Sequence, residues 1–315
     1  MSLVWNGAIM KALEVKDLSQ WFGNPPFHVL DEVNLNIDAG QIVAMVGPSG
    51  CGKSTLLKAI LGTHLPKRGE ALVEGNKVTG PSADVGIVYQ DYTLYPFLNA
   101  RENVAFGLDM HHWSFWSRIF KRNGYIKARD GYLQKADAML DKFQLSDAKD
   151  KYPHEMSGGM RQRVAVAQAL IMKPKVLLLD EPFGALDEAI REELQVMLLH
   201  LYQDNLIAKA KGEKPPYTIF MVTHELKEAI YVSDRVIGLT QHYKEDNKYG
   251  AKIVYDKKAP VFHPHDPKEY EMFEAQIEEL KEVVLGKKEL ENHKEFVTFW
   301  DNRQEKKAQE IVGAE

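Results

Sequence analysis

At 315 residues, with 44 % hydrophobic and 27 % charged side chains, the chain has the size and composition of a globular protein with a full buried core. A net charge of −5 argues against a dedicated nucleic-acid binder, which is normally basic. The single cysteine, Cys51, excludes an intrachain disulfide and fits a reducing compartment, and no run approaches the ~18 apolar residues of a membrane-spanning helix.

In chain order, residues 1–9 read as a leader, without the basic start and apolar core of a secretory signal. The expectation is a cytoplasmic protein, held at any membrane it serves by another subunit. Ala12-Leu13-Glu14-Val15-Lys16-Asp17-Leu18 alternates as a strand does, a Gly-Asn-Pro-Pro turn follows at 23–26, and Val33-Asn34-Leu35-Asn36-Ile37 alternates again. Half-buried strands of this kind suit an antiparallel sheet. Residues 41–46, 176–179 and 217–222 are instead almost continuously apolar, and each leads into a glycine-rich or polar turn and a helical pattern. Such strands suit a parallel sheet covered on both faces, in an α/β core. From about 95 to 160 the pattern is helical, 210–216 reads as a loop, and beyond about 265 Glu and Lys dominate as in charged amphipathic helices with a disordered end.

Gly47-Pro48-Ser49-Gly50-Cys51-Gly52-Lys53-Ser54-Thr55 lies between an apolar strand and a helical run, the context that makes a P-loop. Its glycines let backbone N–H groups converge on phosphates, with the helix N-terminus adding its positive dipole end. Lys53 is placed to reach the β- and γ-phosphates and Ser54 to ligate Mg²⁺. Four fixed positions recur by chance in about one chain of this length in a hundred, so nucleotide binding follows. Cys51 reads as a small filler, with no base or second cysteine nearby in sequence. The apolar strand at 176–179 ends in Asp180 and Glu181. Carboxylates there share the ligand-binding edge of the sheet with the P-loop, so Asp180 is expected to hold Mg²⁺ and Glu181 to polarise the attacking water.

Met156-Ser157-Gly158-Gly159-Met160-Arg161-Gln162-Arg163, at the start of a helix running to Ile171, resembles the LSGGQ signature of ABC ATPases, with Met156 and Met160 where Leu and Gln are commoner. Gln90 looks like that family's Q-loop glutamine, a contact of Mg²⁺ and water that senses the transmembrane partner. Ala185-Leu186-Asp187 resembles the D-loop, His224 the switch histidine that contacts the γ-phosphate, and Phe22 the aromatic that stacks on adenine. Taken singly these are a capping Ser, a polar Gln, a capping Asp, a loop His and a core Phe; their order in the chain carries the likeness.

The resemblance covers roughly residues 10–240. It implies a P-loop (RecA-like) α/β core with an antiparallel β subdomain and an inserted α-helical subdomain at about 91–160. It also implies ATP and Mg²⁺ as cofactors, permease subunits as partners, and indirectly a periplasmic or extracellular solute-binding protein. A second cassette is expected head to tail, each ATP lying between one P-loop and the other copy's Ser157-Gly158-Gly159 turn. The chain would then sit peripherally at the cytoplasmic face of the membrane. Residues 78–81, 94–98 and 103–108, with Met160, look most like ATPases of nitrate/sulfonate/taurine importers. The rival readings are an exporter ATPase, a soluble ABC-type ATPase with no transport role, and a P-loop kinase, against which the Ser-Gly-Gly helix and His224 speak.

Three stretches stand apart. Residues 110–130 look like an insertion in which His111, His112, Trp113, Phe115, Trp116, Phe120 and Tyr125 mix with Arg118, Lys121, Arg122, Lys127 and Arg129. Such a segment either covers local core with long cationic side chains or meets lipid or permease. His111 with His112, and His263 with His265, lack neighbours at ligand spacing and read as solvated. Residues 241–315 are too few and too charged for the regulatory β-domain of sugar importers; a short strand followed by helices is expected there, supporting dimerisation or trailing in solvent.

Overall fold

Leu13 and Val15, then Val33, Leu35 and Ile37, are buried at every second position, as the alternation requires. This computed structural model is described over residues 4–5, 8–90, 93–113, 116, 120–184, 186–241, 250–260, 262, 264 and 273–285. Here the two stretches are β1 (Lys11–Phe22) and β2 (Phe27–Asp38), paired antiparallel with Phe22 opposite Phe27. After them come β3 (Ile42–Val46), α1 (Lys53–Leu61), β4 (Arg68–Val73), β5 (Val85–Val88), α2 (Ala100–His112) and α3 (Arg122–Lys142). The chain continues with α4 (Gly158–Leu170), β6 (Val176–Asp180), α5 (Glu188–Ala210), β7 (Ile219–Thr223), α6 (Leu226–Val232), β8 (Arg235–Thr240), β9 (Lys252–Lys258) and α7 (Glu274–Leu280).

The antiparallel sheet runs β2–β1–β4 and ends on residues Asn76–Lys77. The main sheet runs β9–β8–β3–β7–β6–β5, parallel throughout except where β9 pairs with β8. The three continuously apolar stretches are thus β3, β7 and β6, side by side at the centre. Alternate residues of each serve opposite faces. Ala44, Leu179 and Met221 pack toward α2, α4, α5 and α6, whereas Val43, Leu178 and Phe220 pack toward α1 and the antiparallel sheet. Burial on both faces is why these strands are apolar at every position. The chain thus has a P-loop α/β core, an antiparallel β subdomain and a helical insert, the arrangement that the resemblance implied.

Two further parallel strands were not apparent from the pattern. β5 is only four residues long and contains Gly86, and β8 contains Gly238. In the helical insert, a capping box of Asn99 and Glu102 starts α2, and the buried amide of Asn103 donates to the carbonyls of Tyr95, Leu98 and Asn99. Arg101 grips Asp137 of α3 through two parallel hydrogen bonds of 3.0 and 2.7 Å. Past residue 250, Ala251 bridges to Leu30, β9 extends the main sheet, and Ile277 and Leu280 of α7 are buried against it. The charged stretch 286–315 lies outside the described residues, as do Phe115, Arg118, Ala185, His263 and His265. Among the described residues no helix is long and apolar enough to cross a membrane.

Candidate nucleotide-binding site

Strand register assembles the site. Val46 lies opposite Thr223, Val222 opposite Asp180, and Leu179 opposite Val88. The P-loop after β3, His224 after β7, the acid pair closing β6 and Gln90 after β5 therefore all leave the sheet at its carboxyl edge, where ligands of such sheets bind.

The P-loop depends on its glycines. Gly50 and Gly52 have φ of 79° and 107°, left-handed values that a side chain resists. At Gly52 a Cβ would also lie 2.8 Å from Leu30 Cδ2, so β2 presses directly on the back of the loop. Gly52 precedes α1 without capping it by a side chain, and the first turn of α1 holds no acidic residue. Its N–H groups and dipole thus face outward, as an anion site requires. Lys53 is buried, its Nζ donating to the carbonyl oxygens of Gly47 at 2.8 Å and Pro48 at 3.0 Å. Ser49 and Ser54 are exposed, Pro48 and Thr55 half-buried. Cys51 is buried and its thiol is pushed up by that burial, the opposite of what a reactive thiolate needs.

Asp180 is held above the usual carboxylate range, first by burial and then by the neighbouring Glu181 charge, against the pull of Lys53 and Lys58. A carboxylate so placed is stabilised by any cation brought beside it. Glu181 has φ 49°, rare for a residue with a side chain, and its N–H donates to Val222 O at 2.8 Å. That turn aims its carboxylate at His224, whose Nδ1 lies 3.2 Å from Glu181 Oε2 while its Nε2 lies 3.4 Å from Glu225 Oε1. Gln90 is exposed, with its amide beside Gly184, where a Cβ would come within 3.1 Å of Gln90 Nε2. A hollow of about 500 Å³ opens beside it, lined by Tyr89, Leu94, Tyr95, Ala165 and Gln168 among others.

The remaining predicted residues stand elsewhere. Phe22 is 42 % exposed at the tip of the β1–β2 hairpin. Ser157 and Asp187 cap α4 and α5, accepting from Met160 N at 3.2 Å and Ile190 N at 2.9 Å, so each side-chain oxygen serves its own helix. Gly158 and Gly159 form the first turn of α4, and Gly159 lies so close to Ile190 that a Cβ would collide with it. Gln162 was missed from the sequence: it is fully buried and its amide donates to the carbonyl of Pro182, tying α4 to the acid-pair turn. The one available signal was a polar residue at a buried helical position between two arginines. Among the described residues no three His, Cys, Asp or Glu side chains cluster as a metal site.

The ABC transporter family model matches residues 30–184. Sulfate/thiosulfate import ATP-binding protein CysA of Neisseria meningitidis is 38 % identical over 270 residues, covering 85 % of this chain and 69 % of the relative. This chain belongs to the ABC transporter ATP-binding proteins. It is an ATPase whose hydrolysis is coupled to transmembrane transport, and it binds nucleotide. Another relative, nitrate import ATP-binding protein NrtC of Synechococcus elongatus, is 41 % identical over 218 residues, covering 69 % of this chain and 30 % of the relative. Among solved structures, a dimeric ATP-binding cassette in a post-hydrolysis state with ADP and Pi superposes with a TM-score of 0.59 at 27 % identity, over 79 % of this chain and all of that one.

Proposed function

We propose that the chain is the ATP-hydrolysing subunit of an importer for a small oxyanion, working as a pair of cassettes beneath permease subunits at the cytoplasmic face of the membrane. Relatives named for sulfate, thiosulfate and nitrate support the import of an oxyanion. They favour sulfate or thiosulfate over the sulfonate and taurine of the subfamily likeness, with nitrate still in view. Capture of the solute would fall to a binding protein and selectivity to the permease.

The observation that carries the enzymatic reading is the Glu181–His224 contact of 3.2 Å at the sheet edge that also holds Lys53 and Asp180. Residues Gly47 to Thr55 would enclose the phosphates, with Lys53 leaving the Gly47 and Pro48 carbonyls for the β- and γ-phosphate oxygens. Ser54, Asp180 and Gln90 form a hard-oxygen donor set suited to Mg²⁺, whose charge would offset that developing on the phosphates. Glu181 would take the proton of the attacking water, and His224, braced by that same carboxylate, would contact the γ-phosphate. Phe22 would stack on adenine. Ser157, Gly158, Gly159 and Asp187 would close on the nucleotide of a second copy, since a further helix N-terminus is a good clamp for a γ-phosphate. The hollow beside Gln90 would receive a permease segment, placing nucleotide state and transport state within one loop of each other.

Glu181→Gln tests this directly. It is expected to keep ATP binding, lose turnover by about 10²- to 10⁴-fold and accumulate an ATP-bound dimer, read by hydrolysis rate and by size-exclusion chromatography with ATP and magnesium. Undiminished hydrolysis would remove Glu181 from the role of base; a strictly monomeric variant would remove the paired site.

A further inference from the structure

The tip of the helical insert carries side chains that nucleotide binding does not explain. α2 ends at His112 and α3 begins at Arg122. The two helix ends are held together by Trp113, whose ring meets Tyr125 edge-on at 5.6 Å and rests against Gly124. Beyond that contact, Trp116 and Phe120 stack at 6.1 Å with an interplanar angle of 23°, yet are 65 % and 79 % exposed. Ile126, 49 % exposed, lies one turn into α3, and Lys121, Arg122 and Lys127 are exposed around it. Residues 110–130 hold five Lys and Arg against one Asp in a chain of net charge −5, so the rest of the molecule is more negative still.

Covering local core would account for Arg129, which pairs with Glu102 at 3.0 Å, but not for the exposed Lys121, Arg122 and Lys127. An aromatic pair left mostly in water leaves a hydrophobic gain unrealised, and such apolar surface ringed by one sign of charge marks an interaction site. We infer that this tip rests on an anionic lipid surface, with Trp116 and Phe120 at headgroup depth and Lys121, Arg122 and Lys127 among the lipid phosphates. Trp and Phe favour the membrane–water interface, and clustered flexible cations suit a diffuse negative surface better than a shaped protein epitope. The negative remainder of the chain is repelled by the same surface, so the tip alone would make contact. The inference rests on the proposed function only in placing the chain beside a bilayer.

The test uses the purified full chain with vesicles of phosphatidylglycerol and phosphatidylcholine in equal parts, and with phosphatidylcholine alone. Cosedimentation is expected with the anionic vesicles only, weakening as salt is raised. The triple variant Lys121→Glu, Arg122→Glu, Lys127→Glu should bind them at least about 50-fold more weakly, and Trp116→Ser with Phe120→Ser about tenfold or more. ATP hydrolysis measured on the same preparations should be unchanged, which separates failure at the tip from failure of the enzymatic reading. Equal binding to neutral vesicles, or undiminished binding by either variant, overturns the inference. So does loss of permease assembly by the Trp116→Ser, Phe120→Ser variant in lipid-free detergent, which would make the tip a protein contact.

Discussion

The two ends of the central sheet are built on opposite terms. At the carboxyl edge polar groups are left open: α1 has no side-chain cap, Lys53 rests on loop carbonyls, and Glu181 and His224 are partly exposed. At the amino edge almost everything is closed. Asn205, fully buried, donates to the carbonyls of Gly40 and Tyr217 and accepts from Tyr217 N, while Thr218 Oγ1 accepts from Gly40 N. Asp234 sits there behind Tyr202, its carboxyl pushed up to about 7 chiefly by burial, and the Tyr202 phenol is pushed up to about 12 by burial and by that carboxylate. One edge leaves Glu181 and His224 partly in solvent; the other uses the same kinds of side chain, buried, to hold the strands in place.

Substitutions at the two edges should therefore fail in different ways. Lys53→Ala is expected to weaken ATP binding by about 100-fold or more, since it removes the buried cation proposed to reach the phosphates; nucleotide titration checks it. Asp234→Asn should act on stability alone and in a pH-dependent way. The native carboxyl binds its proton up to about pH 7, whereas unfolded it titrates at 3.8. The fold therefore enjoys full stability from this group below pH 4 and loses it as pH rises through 7, by up to about 4 kcal/mol. The variant should gain on the native protein in melting scans from pH 5 to 8; a constant difference would place the charge elsewhere. Asn205→Ala leaves peptide groups of Gly40 and Tyr217 without their side-chain partner and should cost about 3 kcal/mol in denaturant unfolding, with catalytic competence retained in the fraction that folds. Ser157→Ala removes a helix cap and should cost about 1 kcal/mol by the same assay. A loss of hydrolysis out of proportion to that change would show that Ser157 also serves the partner's nucleotide.

The open edge was legible in the sequence because its chemistry is local. Gly47 to Thr55 carries its own turn geometry, and Asp180-Glu181 marks the end of a strand whose apolar run announces its burial. The closed edge was not legible. Asn205 lies in the middle of α5 and looks like any polar helical residue until Gly40, 165 residues away, and Tyr217 are brought against it. Asp234 reads as a loop acid; only burial beside Tyr202 changes its chemistry. Ser157 and Asp187 were visible as motif residues, yet within one chain the structure shows only their capping bonds; in the proposed pair the group they would grip belongs to another copy. The aromatic content of 110–130 was evident, whereas the pairing of Trp116 with Phe120 at the apex depended on Trp113 closing the hairpin below them.

Gln162 has a mechanical consequence. It is five positions along α4 from Ser157 and holds the carbonyl of Pro182, the residue after Glu181. In a head-to-tail pair those two positions would attend different nucleotides, one per half. In the proposed pair the buried amide would therefore act as a tie rod, a shift of α4 at one nucleotide straining the turn that carries Glu181 at the other.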